Sequence, residues 1–539
     1  MQNKKLKLPA GIQTFETIRT EGYVYVDKTK YLVDLIDTGR VYFLARPRRF
    51  GKSLTISTFD ALFSGKKELF KGLYAEAFLN RPEFKPSPVI RLDMSVVTTN
   101  RGMDVLKESV KLSVLRAAKA LDVEIHTDNS PGDVLGELIV NTAQKYKQKA
   151  VFLLDEYDKP FTDFFNNPEM VEKVRDELRS FFIQIKANDE HIRFAFITGI
   201  SKFTKMGVFS ALNNLIDISP NEKYGEICGM TEGEIIHYFP EYFEETAKEL
   251  ELSIDELVRE MRTYYNGFCF DVGGKHRLYN PFSTLNFFYR KRFNNFWMES
   301  GMNSMIAAYL KTHQLTVEQF RNQPVSEDFV TNSVEIDKAS PESFLFQTGY
   351  LSLREGLIDD FSLDYPNTEV LNSMSALVAQ NILEDADENF TYCRSDLLKG
   401  LMAVNYELVI SVFNRLLASI PYDDFSAAAK ENISDNNYKI RPQEWLYRSS
   451  LLAFLRGCGV TVVAEMHTNS GRADLALNHK GKTWVIEIKV AYEGESPAKK
   501  AEEAYQQIMD KNYAKPYPDA VCIGLAIDDS VRQITDFKI

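Results

Sequence analysis

Two stretches of this 539-residue chain carry residue types able to do chemistry. The first is Arg46-Pro47-Arg48-Arg49-Phe50-Gly51-Lys52-Ser53, set between an apolar run and an amphipathic stretch that begins near Leu54. That context suits a phosphate-binding loop, because N–H groups at a helix N-terminus point at an anion and the helix dipole favours it. Gly51 would let the backbone approach the phosphates, Lys52 would reach the β- and γ-phosphates, and the Ser53 hydroxyl would ligate Mg²⁺. Arg49, Phe50 and Leu54 complete the expected ATP contacts. Arg46 replaces the first glycine of the general GxxxxGK[ST] pattern, so the loop alone is a weak signal. A second element strengthens it: Val151-Phe152-Leu153-Leu154-Asp155-Glu156 reads as a buried strand ending in two acids. Asp155 would hold the metal ion through water, and Glu156 would polarise the attacking water. A third strand, Phe194 to Gly199, ends at Thr198, whose hydroxyl is placed to sense the γ-phosphate. The plainer readings are a solvated lysine at Lys52 and a helix cap at Asp155. Three elements in the right order outweigh them.

The second stretch lies near the C-terminus: Gly471-Arg472-Ala473-Asp474, then Trp484-Val485-Ile486-Glu487-Ile488-Lys489. On a strand of period two, Val485, Glu487 and Lys489 share one face and Trp484, Ile486 and Ile488 the other. A two-residue hairpin loop at Lys480-Gly481 sets Asp474 directly across from Glu487, with Cβ atoms about 4.5–5.5 Å apart. Opposed carboxylates repel unless a cation lies between them, and a hard divalent ion, most simply Mg²⁺, resolves the conflict. Lys489 would orient the water nucleophile or stabilise charge on a phosphodiester. Glu444, on a helix ahead of the sheet, and Glu465 compete as a further acidic metal ligand, and spacing does not separate them. Gln507 reads as opening the helix after the motif strand, where it would orient the lysine or the nucleic-acid backbone. The plainer reading is an exposed hairpin with ordinary surface charges.

The elements that must position these groups follow from hydrophobic pattern. Val41–Ala45, Val89–Asp93, Val151–Leu154 and Arg193–Ile197 are near-continuous apolar runs, as parallel strands covered on both faces require. Amphipathic stretches between them give an α/β three-layer domain. From Thr231 the pattern turns helical, opening on a Thr231-Glu232-Gly233-Glu234 capping box. Tyr350–Leu353 and Phe361–Tyr365 read as a hairpin, which with the preceding helices suggests a winged-helix module. Helix fills 367–457, and strands return at Val462–Ala464, Asp474–Asn478, Thr483–Val490 and Val521–Ile527. The expected boundaries are 1–225, 226–375 and 376–539, with the last domain's core at about 440–539.

Composition fits an ordered protein: 44% hydrophobic, 26% charged and 12% aromatic. The net charge of −12 is uneven, +10 over residues 1–120, −21 over 121–430 and −1 over 431–539. A basic front end suits a nucleotide, whereas overall acidity argues against a chain whose whole surface coats nucleic acid and leaves room for one local binding groove. No apolar run approaches membrane-spanning length, the basic stretch Met1 to Ala10 lacks the apolar core of a signal peptide, and five cysteines form no CxxC pair. A cytoplasmic protein without a membrane partner is expected.

With these residues in view, the chain from about Gly11 onward resembles bacterial proteins that join an AAA-ATPase-like domain to a C-terminal PD-(D/E)XK nuclease-like domain. The likeness rests on Tyr25-Val26-Asp27-Lys28-Thr29, the Arg46 to Ser53 loop, Leu154-Asp155-Glu156-Tyr157-Asp158, the Asn280-Pro281-Phe282-Ser283 helix start, Gly471 to Asp474 and Glu487-Ile488-Lys489. The Arg-Pro-Arg-Arg-Phe-Gly-Lys-Ser loop is usual among these relatives. The resemblance implies a P-loop NTPase fold that binds and hydrolyses ATP, and a restriction-endonuclease-like fold at the back. The Gln507 to Tyr513 spacing departs from the QxxxY of some nuclease relatives. Three functions remain: an ATP-gated, Mg²⁺-dependent nuclease on DNA or RNA, an ATP-dependent signalling switch with a non-cleaving binding domain, and a structural ATP-binding protein with Glu156 as a helix cap. Arg46, Arg48, Arg49 and Arg193 are candidates for an arginine that completes the nucleotide site.

Overall fold

Strands β1 (Val41–Ala45), β2 (Val89–Asp93), β3 (Ala150–Asp155), β4 (Ile192–Gly199) and β5 (Ile216–Asp217) form one sheet in the order β2-β3-β4-β1-β5. Every pairing in it is parallel. Each residue of β1 and β3 is buried, so helices cover both faces and the three-layer expectation holds. This computed structural model describes residues 5–99, 102–126, 128–165, 167–202, 212, 214–300, 303–313, 315–331, 339–355, 361–383, 386–420, 442–468 and 471–539.

The strand order has a chemical consequence. Ligands of open parallel sheets bind beyond the carboxyl ends of the strands. β4 lies between β1 and β3, so its last residues stand between the loop that follows β1 and the acids that end β3.

The chain divides into two compact units, Met1–Met305 with Asn322–Glu369, and Ile306–Arg321 with Val370–Ile539. The first holds the parallel sheet and the helical region after it. Thr231 caps the helix Glu232–Tyr238 through a reciprocal capping box with Glu234, as expected. Asn280 caps Pro281–Arg290, its side chain accepting from the Ser283 amide at 3.1 Å. The expected hairpin is present as β7 (Ser352–Glu355) and β8 (Phe361–Asp364). A third strand, β6 (Gln323–Val325), extends it on the far side of β8.

The second unit holds a mixed sheet in the order β13-β12-β11-β10-β9: β9 (Thr461–Thr468), β10 (Gly471–His479), β11 (Lys482–Ala491), β12 (Val521–Asp528) and β13 (Gln533–Lys538). The helix Pro497–Asp510 crosses over between the parallel pair β11 and β12. It covers the face that carries Ala476 and Val485, through Ile508. On the opposite face Trp484 is buried, donates its indole N–H to the Leu401 carbonyl at 3.3 Å and meets Tyr406 edge-on. The plainer reading of an exposed hairpin therefore fails. Among the described residues no helix is long and apolar enough to cross a membrane.

Candidate functional sites

The front site grows from the turn after β1. Gly51, at φ 101°, is the left-handed residue preceding the helix Lys52–Phe63, which starts two residues before the expected Leu54. A side chain at Gly51 would be strained in that conformation, and the space its Cβ would enter is open. The helix N-terminus therefore faces free volume. A cavity of about 390 Å³ opens there, lined by Arg49, Phe50, Gly51, Lys52, Ser53 and Leu54 among others, and by Glu156 across from them. Lys52 is buried, and its ammonium donates to the carbonyls of Arg46 (2.9 Å) and Pro47 (3.1 Å). Burial pulls its pKa below the usual lysine range, while Asp155 and Glu156 oppose that shift.

Asp155 and Thr198 do not line the cavity but meet one another at the ends of β3 and β4. The Thr198 hydroxyl donates to Oδ1 of Asp155 at 2.6 Å, with both side chains buried. Glu156 follows with φ 51°, a strained region for a side chain of this type and one that clusters at functional sites. Burial pushes its carboxyl above the usual range, and Lys52 pulls it back.

Two of the arginine candidates do not line the cavity. Arg46 is buried, and its guanidinium donates to the carbonyls of Ala45, Ser219 and Tyr224, tying β1 to the chain after β5. Arg193 sits at the start of β4, where it donates to the Lys85 carbonyl and the Ser87 hydroxyl. That is the wrong end of the strand. Arg48 and Arg49 line the cavity.

Lys28 also lines this cavity, with its ammonium 2.6 Å from both carboxylate oxygens of Glu234. Sequence spacing carries no signal for that pairing.

At the back, the two-residue loop is as expected: His479 pairs with Lys482, and the register runs unbroken to Leu475 opposite Ile486. One step further, side chains replace the ladder. The Asp474 amide donates to Oε2 of Glu487 at 3.1 Å, and the Ile488 amide donates to Oδ2 of Asp474 at 2.8 Å. Glu487 is buried, and desolvation together with the Asp474 charge raises its pKa to about 8. Lys489 sets its ammonium 3.5 Å from Oε1 of Glu487. Gln507 donates to the same oxygen, and its amide lies 3.4 Å from the Tyr513 hydroxyl.

Gln507 does not open its helix. Ser496 caps that helix and Pro497 begins it, which places Gln507 in the last turn. It reaches Glu487 because the helix lies tight on the sheet: a Cβ on Gly524, which is paired with Glu487, would stand 2.4 Å from the Tyr505 amide nitrogen. Arg448, which the sequence did not single out, approaches Oδ1 of Asp474 at 3.0 Å from the helix Pro442–Gly457. Glu444 lies one turn earlier on that helix. Glu465 falls within β9, but its side chain lies outside the described residues. Among the described residues, no group of three or more His, Cys, Asp or Glu is arranged to hold a metal. Magnesium commonly rests on one or two carboxylates plus water and phosphate oxygens, so the Asp474–Glu487 pair fits that ion.

Residues 9–209 match the family model described as predicted AAA-ATPase, and residues 442–536 match that of the PD-(D/E)XK nuclease superfamily. The chain is 33% identical over 519 residues to the uncharacterized protein in the vnfD 5′ region of Azotobacter chroococcum mcd 1, spanning 95% of this chain and 93% of that one. The crystal structure of Cdc6p from Pyrobaculum aerophilum is matched over 69% of this chain and 99% of that one, at 10% identity. The TM-score of that match is 0.25.

Proposed function

This chain belongs to the family that pairs a predicted AAA-ATPase domain with a PD-(D/E)XK nuclease-superfamily domain, and from that we propose an ATPase whose nucleotide cycle governs a Mg²⁺-dependent nuclease acting on DNA or RNA. Domains at 1–225, 226–375 and 376–539 would carry nucleotide, lid and nuclease roles. Five free cysteines suit a reducing bacterial cytoplasm.

In the front site the open volume over Gly51 supports phosphate binding. Lys52 would exchange its two loop carbonyls for phosphate oxygens, and Ser53 with Asp155 would hold Mg²⁺. Thr198 fixes the Asp155 carboxylate through its 2.6 Å hydrogen bond. Glu156, in the cavity wall, would take the role of orienting and deprotonating water.

The observation that carries the nuclease reading is the Asp474–Glu487 pair, held on one sheet face beside Lys489. A divalent ion on those two acids would supply charge neutralisation and an activated water. Lys489 would stabilise the developing charge of a cleaved phosphodiester, and Gln507 orients the Glu487 carboxylate. A supercoiled-plasmid assay with Mg²⁺, with and without ATP, tests the reading, with an RNA substrate run in parallel. Cleavage that is absent from Asp474→Asn and Lys489→Ala supports it, and cleavage persisting in both overturns the site.

One observation favours the alternative of a non-cleaving, ATP-dependent binding switch: Arg448 already neutralises Asp474. ATP turnover without metal-dependent cleavage of either substrate would select it.

A further inference from the structure

Asp474 is the residue on which the metal reading depends most, and it has a cation of its own. Arg448 holds Nη2 3.0 Å from Oδ1, with the two side chains only 17% and 12% exposed. Oδ2 of the same carboxylate is engaged by the Ile488 amide. Both oxygens are thus engaged by donors, and a divalent ion approaching Oδ1 meets a guanidinium already there.

A guanidinium has a second natural partner. Its planar fork of N–H donors matches phosphate as well as carboxylate, and it keeps its charge at every accessible pH. Arg448 also sits on a different element from the acids, the helix Pro442–Gly457, so it is not part of the strands that carry them.

Resting on the nuclease reading above, we propose that Arg448 is a positioning residue that masks Asp474 until a nucleic-acid phosphate draws it away. Phosphodiester binding and divalent-metal binding then reinforce each other. Linkage makes the effect reciprocal: whatever the polyanion adds to metal affinity, the metal adds to polyanion affinity. The isolated site would bind metal poorly, and a bound strand would complete it.

The test measures Mn²⁺ binding to the full chain by electron paramagnetic resonance, without nucleotide. An Asp474→Ala chain, with and without oligonucleotide, serves as the background for Mn²⁺ held elsewhere. Arg448→Gln is expected to bind Mn²⁺ about tenfold tighter than wild type without nucleic acid, within the usual range of coupling between sites. A DNA or an RNA oligonucleotide, tried separately, should tighten Mn²⁺ binding about fivefold in wild type and leave Arg448→Gln unchanged. If Arg448→Gln does not fold, Arg448→Lys takes its place, with a smaller gain expected from its shorter, non-planar reach. Equal Mn²⁺ affinity in wild type and variant overturns the mask while leaving the nuclease reading standing, as does tightening by neither oligonucleotide. Mn²⁺ bound above background by neither chain overturns the metal reading itself.

Discussion

Asp474 and Glu487 hold each other's strands together with their side chains. The Asp474 amide donates to Glu487, and Asp474 accepts from the amide that follows Glu487, so two carboxylates stand in for ladder bonds where β10 and β11 part. An acidic pair is thereby built into the sheet at fixed separation. Asp474→Ala removes the acceptor for the Ile488 amide and strips Arg448 of a buried partner. It should destabilise the C-terminal unit by about 2–3 kcal/mol in urea unfolding. Asp474→Asn keeps a carbonyl for Ile488 and should cost about half as much.

Glu369 makes stability of the N-terminal unit depend on pH. It is fully buried, accepts from the Trp297 amide at 2.9 Å, and burial raises its pKa from 4.5 to about 8. Because the folded value lies above the unfolded one, the protonated folded form is favoured at low pH. The contribution is complete below pH 4.5 and declines as pH rises through about 8. Thermal or urea unfolding between those limits should show a loss on the order of 5 kcal/mol at most. Glu369→Gln should flatten that slope.

Gly199 ends β4 with no room to spare. A Cβ there would lie 2.4 Å from Cε1 of Tyr157 and 2.9 Å from Oδ1 of Asp158. Tyr157 is itself buried, and Asp158 accepts from the amides of Ile200 and Ser201. Neither neighbour can step aside cheaply. Gly199→Ala should cost about 2–3 kcal/mol and displace Glu156, which calorimetry together with nucleotide titration would register.

Glu156 separates binding from turnover. Glu156→Gln preserves volume and hydrogen bonding but cannot accept a proton from water. ATP turnover should fall by about 10²-fold or more, while affinity for a fluorescent ATP analogue stays within about threefold. Equal turnover in the two chains would instead leave Glu156 a structural residue.

Legibility in the sequence followed burial. β1, β3 and β4 are readable because residues covered on both faces must be apolar, the edge strand β2 through its buried Ile90 and Leu92 despite an exposed Arg91, and the Lys480-Gly481 loop because strand registers on either side agree. β5 is two residues long, β6 carries Pro324, and β13 is mostly exposed, so none announces itself by hydrophobic pattern. The start of the Gln507 helix is written in Ser496-Pro497, a standard cap and first-turn proline. Arg448 was not available, because a guanidinium on a helix meeting a carboxylate on a strand is fixed by tertiary packing alone. The same holds for Lys28 and Glu234.

That last pair ties a ligand pocket to a helix end. Glu234 takes the Thr231 amide at 2.8 Å with the same carboxylate that grips Lys28. A molecule in the front cavity that competes for the Lys28 ammonium therefore loosens Glu234 as well, and with it the first turn of Glu232–Tyr238. Occupancy of the cavity would be felt as fraying at a helix terminus, far along the chain from the loop that receives the phosphates.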